Sequence, residues 1–289
     1  MHFVANELIA ITVILNKSCT LILGAPLKLN KGFVKSIGPE EIGYLIAKKT
    51  PFSDYIDSNY KAYFREIPKD YDHKMLNIQN EALAFALNLV SEDNCLLIGE
   101  THVFRVGKKK VLDVQLPASN AITFDKMKSE KFKLPKTVNP AQIEKVYNVC
   151  VEAIAESQTF LLTLSRFNSS QTKTGLIDKV IDLAISLESV ISVQSEVSFQ
   201  FSLINAILAE DEETKREEIF RLLKNFYNAR SAIVHGNITA KSKLPSDKDM
   251  ARISSIAKLS ILRKAMFLSE GGTAASWKKK QISMIFDGY

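Results

Sequence analysis

Arg230 and His235 stand five positions apart in the stretch YNARSAIVHGN, residues 227–237, with Ser231 between them and Gly236 directly after the histidine. These residue types can cleave RNA without a metal. In that reaction the ribose 2′-OH attacks the adjacent phosphorus. A base takes the hydroxyl proton, an acid protonates the leaving 5′-oxygen, and a cation stabilises the charged phosphorane. His235 can act as acid or base. Arg230 is a permanent cation able to hold two phosphate oxygens at once. Ser231 precedes His235 by one helical turn on the same face, where its hydroxyl can orient the imidazole or meet phosphate. The spacing alone is weak, because it fits equally well two polar residues on the solvated side of a helix.

The helices that carry these residues bear on the choice. Residues 214–235 are predicted as one helix, with Ile219, Leu222, Leu223, Phe226 and Ile233 marking its core face and Gly236 ending it. At about 100° per residue, Arg230 lies roughly 40° from Phe226, at the edge of that stripe. Tyr227 lies near about 100°, Ser231 near about 140° and His235 near about 180°, so all three turn away from the core. A helix at about 175–193 has a stripe of Ile177, Val180, Ile181, Ala184, Leu187 and Ile191, and Glu188 sits inside it. A carboxylate on a core face is costly unless paired, and Arg230 is the natural partner. The alternative is that Glu188 reaches past the edge of the bundle to solvent.

Helical spacing continues through residues 135–289. Asn139 caps a helix whose first position is Pro140, and Ile143, Val146, Tyr147, Cys150, Ile154, Leu161 and Leu164 form its stripe. Further helices are expected at about 195–209 and about 249–286, the latter broken at Gly271–Gly272. Residues 1–134 read as mixed. GPEEIGYLIAKK and NIQNEALAFALNLV have helical character, whereas CLLIGETHVFRV and VLDVQL read as strands around the turn-like GKKK. The lysine-rich DKMKSEKFKLPK ends at Pro135 and marks a boundary. The expectation is an α+β N-terminal domain, 1–134, of unassigned role, followed by an all-α helical bundle, 135–289.

Composition narrows the function classes only slightly. Apolar residues make up 46% and charged residues 24%, the mixture of a folded chain rather than a disordered one. The net charge of +6 suits an acidic partner such as nucleic acid, but the excess is divided equally between 1–134 and 135–289. Cys19, Cys95 and Cys150 have no CxxC spacing, and the four histidines are scattered, so neither a metal cluster nor a cofactor is expected. The apolar start MHFVANELIAITVILNKSCTLILG lacks a basic leading region and is interrupted at Asn6–Glu7 and at Asn16–Ser18. It reads as buried strands, and the protein as cytoplasmic with no membrane partner.

Three segments taken together resemble a known family. LIDKVIDLAISLESVI, SEVSFQFSLINAILAED and KREEIFRLLKNFYNARSAIVHGN, in that order and spacing, are similar to the Apea-like branch of the HEPN superfamily. The resemblance covers roughly residues 170–240 and leaves the N-terminal half unmatched. It implies a HEPN-like helical bundle in which Arg230 and His235 take the positions of an R-x4–6-H ribonuclease motif. Many HEPN ribonucleases carry Asn, Asp or His directly after the arginine; this chain has Ser231, a residue frequent there in the Apea-like branch. The resemblance also implies a homodimer whose two-fold axis brings two histidines and two arginines into one cleft. The function expected is a metal-independent endoribonuclease acting on RNA in a toxin or phage-defence setting, with an antitoxin or other regulatory protein as the further partner. The alternative is a non-catalytic HEPN module that binds RNA, nucleotide or a partner protein through the same face. The segments GKKK, KMKSEKFKLPK and WKKK either touch the RNA backbone or are ordinary solvated surface.

Overall fold

The computed structural model describes the backbone of residues 8–16, 27–29, 32–36, 61–67, 73–90, 96–106, 111–115, 140–191, 197–236 and 244–286, and side chains within 74–89, 141–191, 197–236 and 244–286. The chain divides into two compact units, Met1–Asn148 and Val149–Tyr289.

In the first unit the backbone pairs as six antiparallel strands, β1 (Leu8–Asn16), β2 (Leu27–Leu29), β3 (Gly32–Ser36), β4 (Lys61–Ile67), β5 (Leu96–Val106) and β6 (Val111–Gln115), in the order β2-β3-β4-β1-β5-β6. Helix α1 (His73–Val90) buries Leu76, Leu83, Phe85 and Leu87. The expected α+β N-terminal domain is corrected here. Of the residues whose side chains are described, 89% are helical and none belongs to a strand, so the architecture with a described core is an all-helical bundle. Apolar alternation reports an extended backbone, whereas a domain also requires a sheet face packed on a second layer. The expected helix GPEEIGYLIAKK, the segments GKKK and DKMKSEKFKLPK, Pro135, Cys19 and Cys95 lie outside the described residues. No described helix is long and apolar enough to cross a membrane.

The remaining helices are α2 (Pro140–Glu156), α3 (Gln158–Thr172), α4 (Leu176–Val190), α5 (Val197–Ala209), α6 (Glu213–Val234), α7 (Asp247–Ser269) and α8 (Ala274–Phe286). One boundary differs from the periodicity. The stripe expected to run unbroken from Ile143 to Leu164 is cut at Ser157, whose backbone is extended at φ −145 and ψ 103. The Ser157 hydroxyl lies 2.9 Å from that of Thr159. The Ser157 N–H still donates to the Ala153 carbonyl at 3.0 Å, so α2 runs up to this residue, and its extended backbone then starts α3. Phe160, Leu164 and Phe167 then supply the core, and Leu161 is only half-buried. Helix α7 opens with a capping box, Ser246 and Asp249 bonding reciprocally, which fixes its first turn.

Helix α4 packs against α3, α6 and α7. It is therefore covered on more of its circumference than a single stripe implies. Val180, Leu183, Ala184, Leu187 and Val190 are buried, whereas Ile177, at the helix start, is exposed. Two polar residues inside this zone have partners. Asp182 meets Arg166 at 2.9 Å, and the Ser186 hydroxyl donates to the Thr163 carbonyl at 2.8 Å. The carboxyl end of α4 is closed by side chains from elsewhere. Lys264 Nζ of α7 donates to the Ser189 carbonyl, and Trp277 Nε1 and Gln281 Nε2 of α8 donate to the Val190 carbonyl at 2.7 and 3.2 Å. These carbonyls have no partner within the helix, and a cation there is favoured by the helix dipole.

Burial pushes the Lys264 pKa down to about 8, despite that favourable position. The unfolded chain holds this proton up to the ordinary value of 10.5, so between about 8 and 10.5 the unfolded state binds more protons and stability rises with pH. Below about 8 the full cost of the buried charge is present. Lys264→Met is therefore expected to be more stable than wild type at pH 7, with the gap closing as pH approaches 10. Urea melts of both proteins at the two pH values check this, and a gap that widens with pH would contradict it.

Candidate functional site

Helix α6 buries Ile219, Leu223, Phe226 and Ala229. Leu222 and Ile233, placed on the same stripe by periodicity, are half-buried at its margins. The Phe226 and Tyr227 rings lie 6.4 and 5.1 Å from the ring of Phe201 on α5, and this aromatic contact sets the rotation of α6 about its axis. With the helix so rotated, Arg230 at the edge of the stripe reaches α4. Its Nη2 lies 3.2 Å from Glu188 Oε1 and donates to Glu188 Oε2 at 3.3 Å. The two side chains are 22% and 24% exposed, so the pair is largely but not wholly withdrawn from water. The guanidinium carbon is also 5.7 Å from the centre of the Tyr227 ring, a cation–π distance.

Burial raises the Glu188 pKa above the ordinary carboxylate value, and the nearby Arg230 charge opposes that rise without cancelling it. The Tyr227 hydroxyl is shifted upward by burial and by the Glu188 charge, against the pull of Arg230. The pair is imperfectly satisfied. Glu188 Oε1 is within ion-pair distance of Arg230 but accepts no hydrogen bond, and the buried Arg230 Nε has no acceptor among the described residues. One nitrogen of the arginine therefore holds it in place while its charge is only partly answered.

His235 occupies the cap position of α6, at φ −87 and ψ 3, with its backbone N–H donating to the Ser231 carbonyl at 3.0 Å. Gly236 follows at φ +68, the left-handed conformation that ends the helix at low cost in a glycine. The imidazole is exposed, on the side of α6 opposite Phe226. Ser231 is half-buried, and no side-chain hydrogen bond joins it to His235 among the described residues. The structure thus brings Arg230, Glu188 and Tyr227 together. It does not join Ser231 or His235 to them. Arg230 and His235 are separated by roughly 140° around the helix, so one chain presents them to different sides.

Of the basic segments, WKKK is described: Trp277 turns inward, and Lys278, Lys279 and Lys280 are exposed. Reading that run as uniformly basic surface hides the inward spacing of Trp277, Gln281 and Met284, which are all buried. Among the described residues no three His, Cys, Asp or Glu side chains gather as a metal-binding group. Against family models, curated proteins and solved structures alike, the chain finds no match.

The geometry sets an expectation for Glu188. Removing it as Glu188→Ala leaves a largely buried guanidinium without its anion, for an expected loss of about 1–3 kcal/mol. That is less than the roughly 3–5 kcal/mol of a fully buried broken pair, because water reaches part of this one. Glu188→Gln keeps the shape and an acceptor oxygen but likewise leaves the guanidinium without its anion, so it is expected to lose part of that stability, less than Glu188→Ala. Thermal melts of the two variants check this. No loss in either variant would mean the pair carries no weight.

Proposed function

We propose that this chain is a metal-independent endoribonuclease of the HEPN type, acting on RNA in the cytoplasm in a toxin or phage-defence setting. His235 and Arg230 are its catalytic residues, with Glu188, Tyr227 and Ser231 as positioning residues. The observation that carries this reading is the anchoring of Arg230 by Glu188 on the same last turns of α6 that present an exposed histidine to another side. A conformationally fixed cation and a solvent-facing proton donor or acceptor are what phosphoryl cleavage by the 2′-OH requires. The resemblance of residues 170–240 to the Apea-like HEPN branch supplies the reaction class. A homodimer about the face of Tyr227, Ser231 and His235 supplies the second histidine, since one imidazole does not easily serve both the attacking hydroxyl and the leaving oxygen.

The test is incubation of the purified full chain with total RNA in excess EDTA, with analysis of the fragment ends. Fragments ending in 2′,3′-cyclic phosphate support the reading, whereas 3′-hydroxyl ends or no cleavage overturn it. A second reading, a non-catalytic HEPN module that binds RNA, nucleotide or a regulatory protein, is favoured by one observation. Arg230 already donates to a carboxylate, and part of its charge is thereby used within the chain. That reading expects RNA retention without cleavage, unchanged in His235→Ala.

A further inference from the structure

Three consecutive residues at the carboxyl end of α4 are each held by a different helix. Glu188 pairs with Arg230 of α6, the Ser189 carbonyl accepts from Lys264 of α7, and the Val190 carbonyl accepts from Trp277 and Gln281 of α8. We propose that Lys264 and Trp277 are positioning residues for the Arg230 guanidinium, acting through this last turn of α4. The inference rests on Arg230 being the site cation proposed above.

The argument begins with the helix end itself. The last four carbonyls of a helix have no partner inside it, and a terminal turn without outside partners frays. Glu188 lies two residues before the end of α4, so any fraying there moves its carboxylate and, with it, the guanidinium it holds. The structure fastens this turn with three side-chain donors from α7 and α8. The Val190 carbonyl has two donors, which uses both of its lone pairs. The indole is in turn fixed by Phe267, 5.0 Å away between ring centres, and is 1% exposed. Lys264, at 5% exposure, carries an ammonium into the interior for one of these bonds. Burying a charge costs stability, and an apolar side chain of the same length would fill the space without that cost. The compensation lies in fixing the turn that bears Glu188. Displacement of 1 Å at a catalytic cation lowers rate by about 10²-fold, so a modest loosening two residues away is enough to matter.

Trp277 is the chain's single tryptophan, and its emission reports directly on the latch. In the full-length protein without RNA, Glu188→Gln and Arg230→Gln are each expected to shift the emission to longer wavelength and to increase its quenching by acrylamide. In cleavage assays, Lys264→Met is expected to lower kcat about 10-fold with KM unchanged, while melting no lower than wild type at pH 7. Combining it with Glu188→Gln is expected to add little beyond the more severe single change, because both act through one turn. Emission indifferent to both Glu188→Gln and Arg230→Gln would overturn the proposal, as would independent, multiplying effects of Lys264→Met and Glu188→Gln. Should Lys264→Met lose its helical circular dichroism, the emission of the other two variants decides alone. A wild-type chain that cleaves no RNA defeats the nuclease reading, and the emission result then judges the latch separately.

Discussion

His235→Ala is expected to reduce RNA cleavage by about 10²–10⁴-fold, the range for loss of a positioned proton-transfer group, and to leave the fold untouched. Its imidazole is exposed and makes no side-chain hydrogen bond among the described residues, so nothing in the core depends on it. Arg230→Ala is expected to lose activity by about 10²–10³-fold, as removal of a preorganised charge-stabilising group does elsewhere. Its effect on stability differs, because Glu188 would be left as an unpaired, largely withdrawn carboxylate. The two substitutions thus share a kinetic signature and part on thermal melting. Both losses are measured in excess EDTA, where wild-type activity is expected to persist in full. Full activity in His235→Ala, or loss of wild-type activity on chelation, would sink the assignment of the site.

The sequence makes some of this geometry visible and hides the rest for identifiable reasons. The rotation of α6 was legible because its apolar positions recur at one helical period, and Gly236 sits where a left-handed residue is needed. Glu188 was legible as an anomaly, a carboxylate within an apolar pattern, and the structure places it against Arg230. It is less buried than the stripe alone suggests, because α4 turns Leu183, Ser186 and Val190 inward as well and leaves Glu188 at the margin. Ser157 was missed as a break because its neighbours on both sides keep helical spacing, and the extended backbone that marks it leaves no trace in apolar periodicity. The latch on α4 was missed for a different reason. Its donors come from residues 75 and 87 positions away from the carbonyls they reach, and no periodicity within one helix records such contacts. In the first 134 residues the apolar runs announced extended backbone, but a packed α+β domain does not follow from local pattern.

Mixing wild-type chains with His235→Ala chains in equal amounts is expected to leave about a quarter of full activity rather than about a half, if random pairing forms sites that need two histidines. The separation of functions within one chain is the reason. Arg230 is drawn toward α4 by Glu188, whereas His235 faces outward from the opposite side of α6. The attacking hydroxyl and the leaving oxygen also lie on opposite sides of the phosphorus, so one imidazole does not meet both. The proposed two-fold axis beside Tyr227, Ser231 and His235 would set a second copy of each residue across a shared cleft without requiring any further side chain. The face has apolar material for such a contact: Val234 is 52% exposed, and the half-buried Tyr227 lies two helical turns before it. Val234→Asp is then expected to weaken self-association and activity together, since a carboxylate in each copy would face its symmetry mate across a desolvated contact. Sedimentation across the micromolar range, run beside cleavage assays on the same samples, tests both expectations. A chain that sediments as a monomer and still cleaves RNA at full rate would leave the shared site without support, and the proton chemistry would then have to be completed within one subunit.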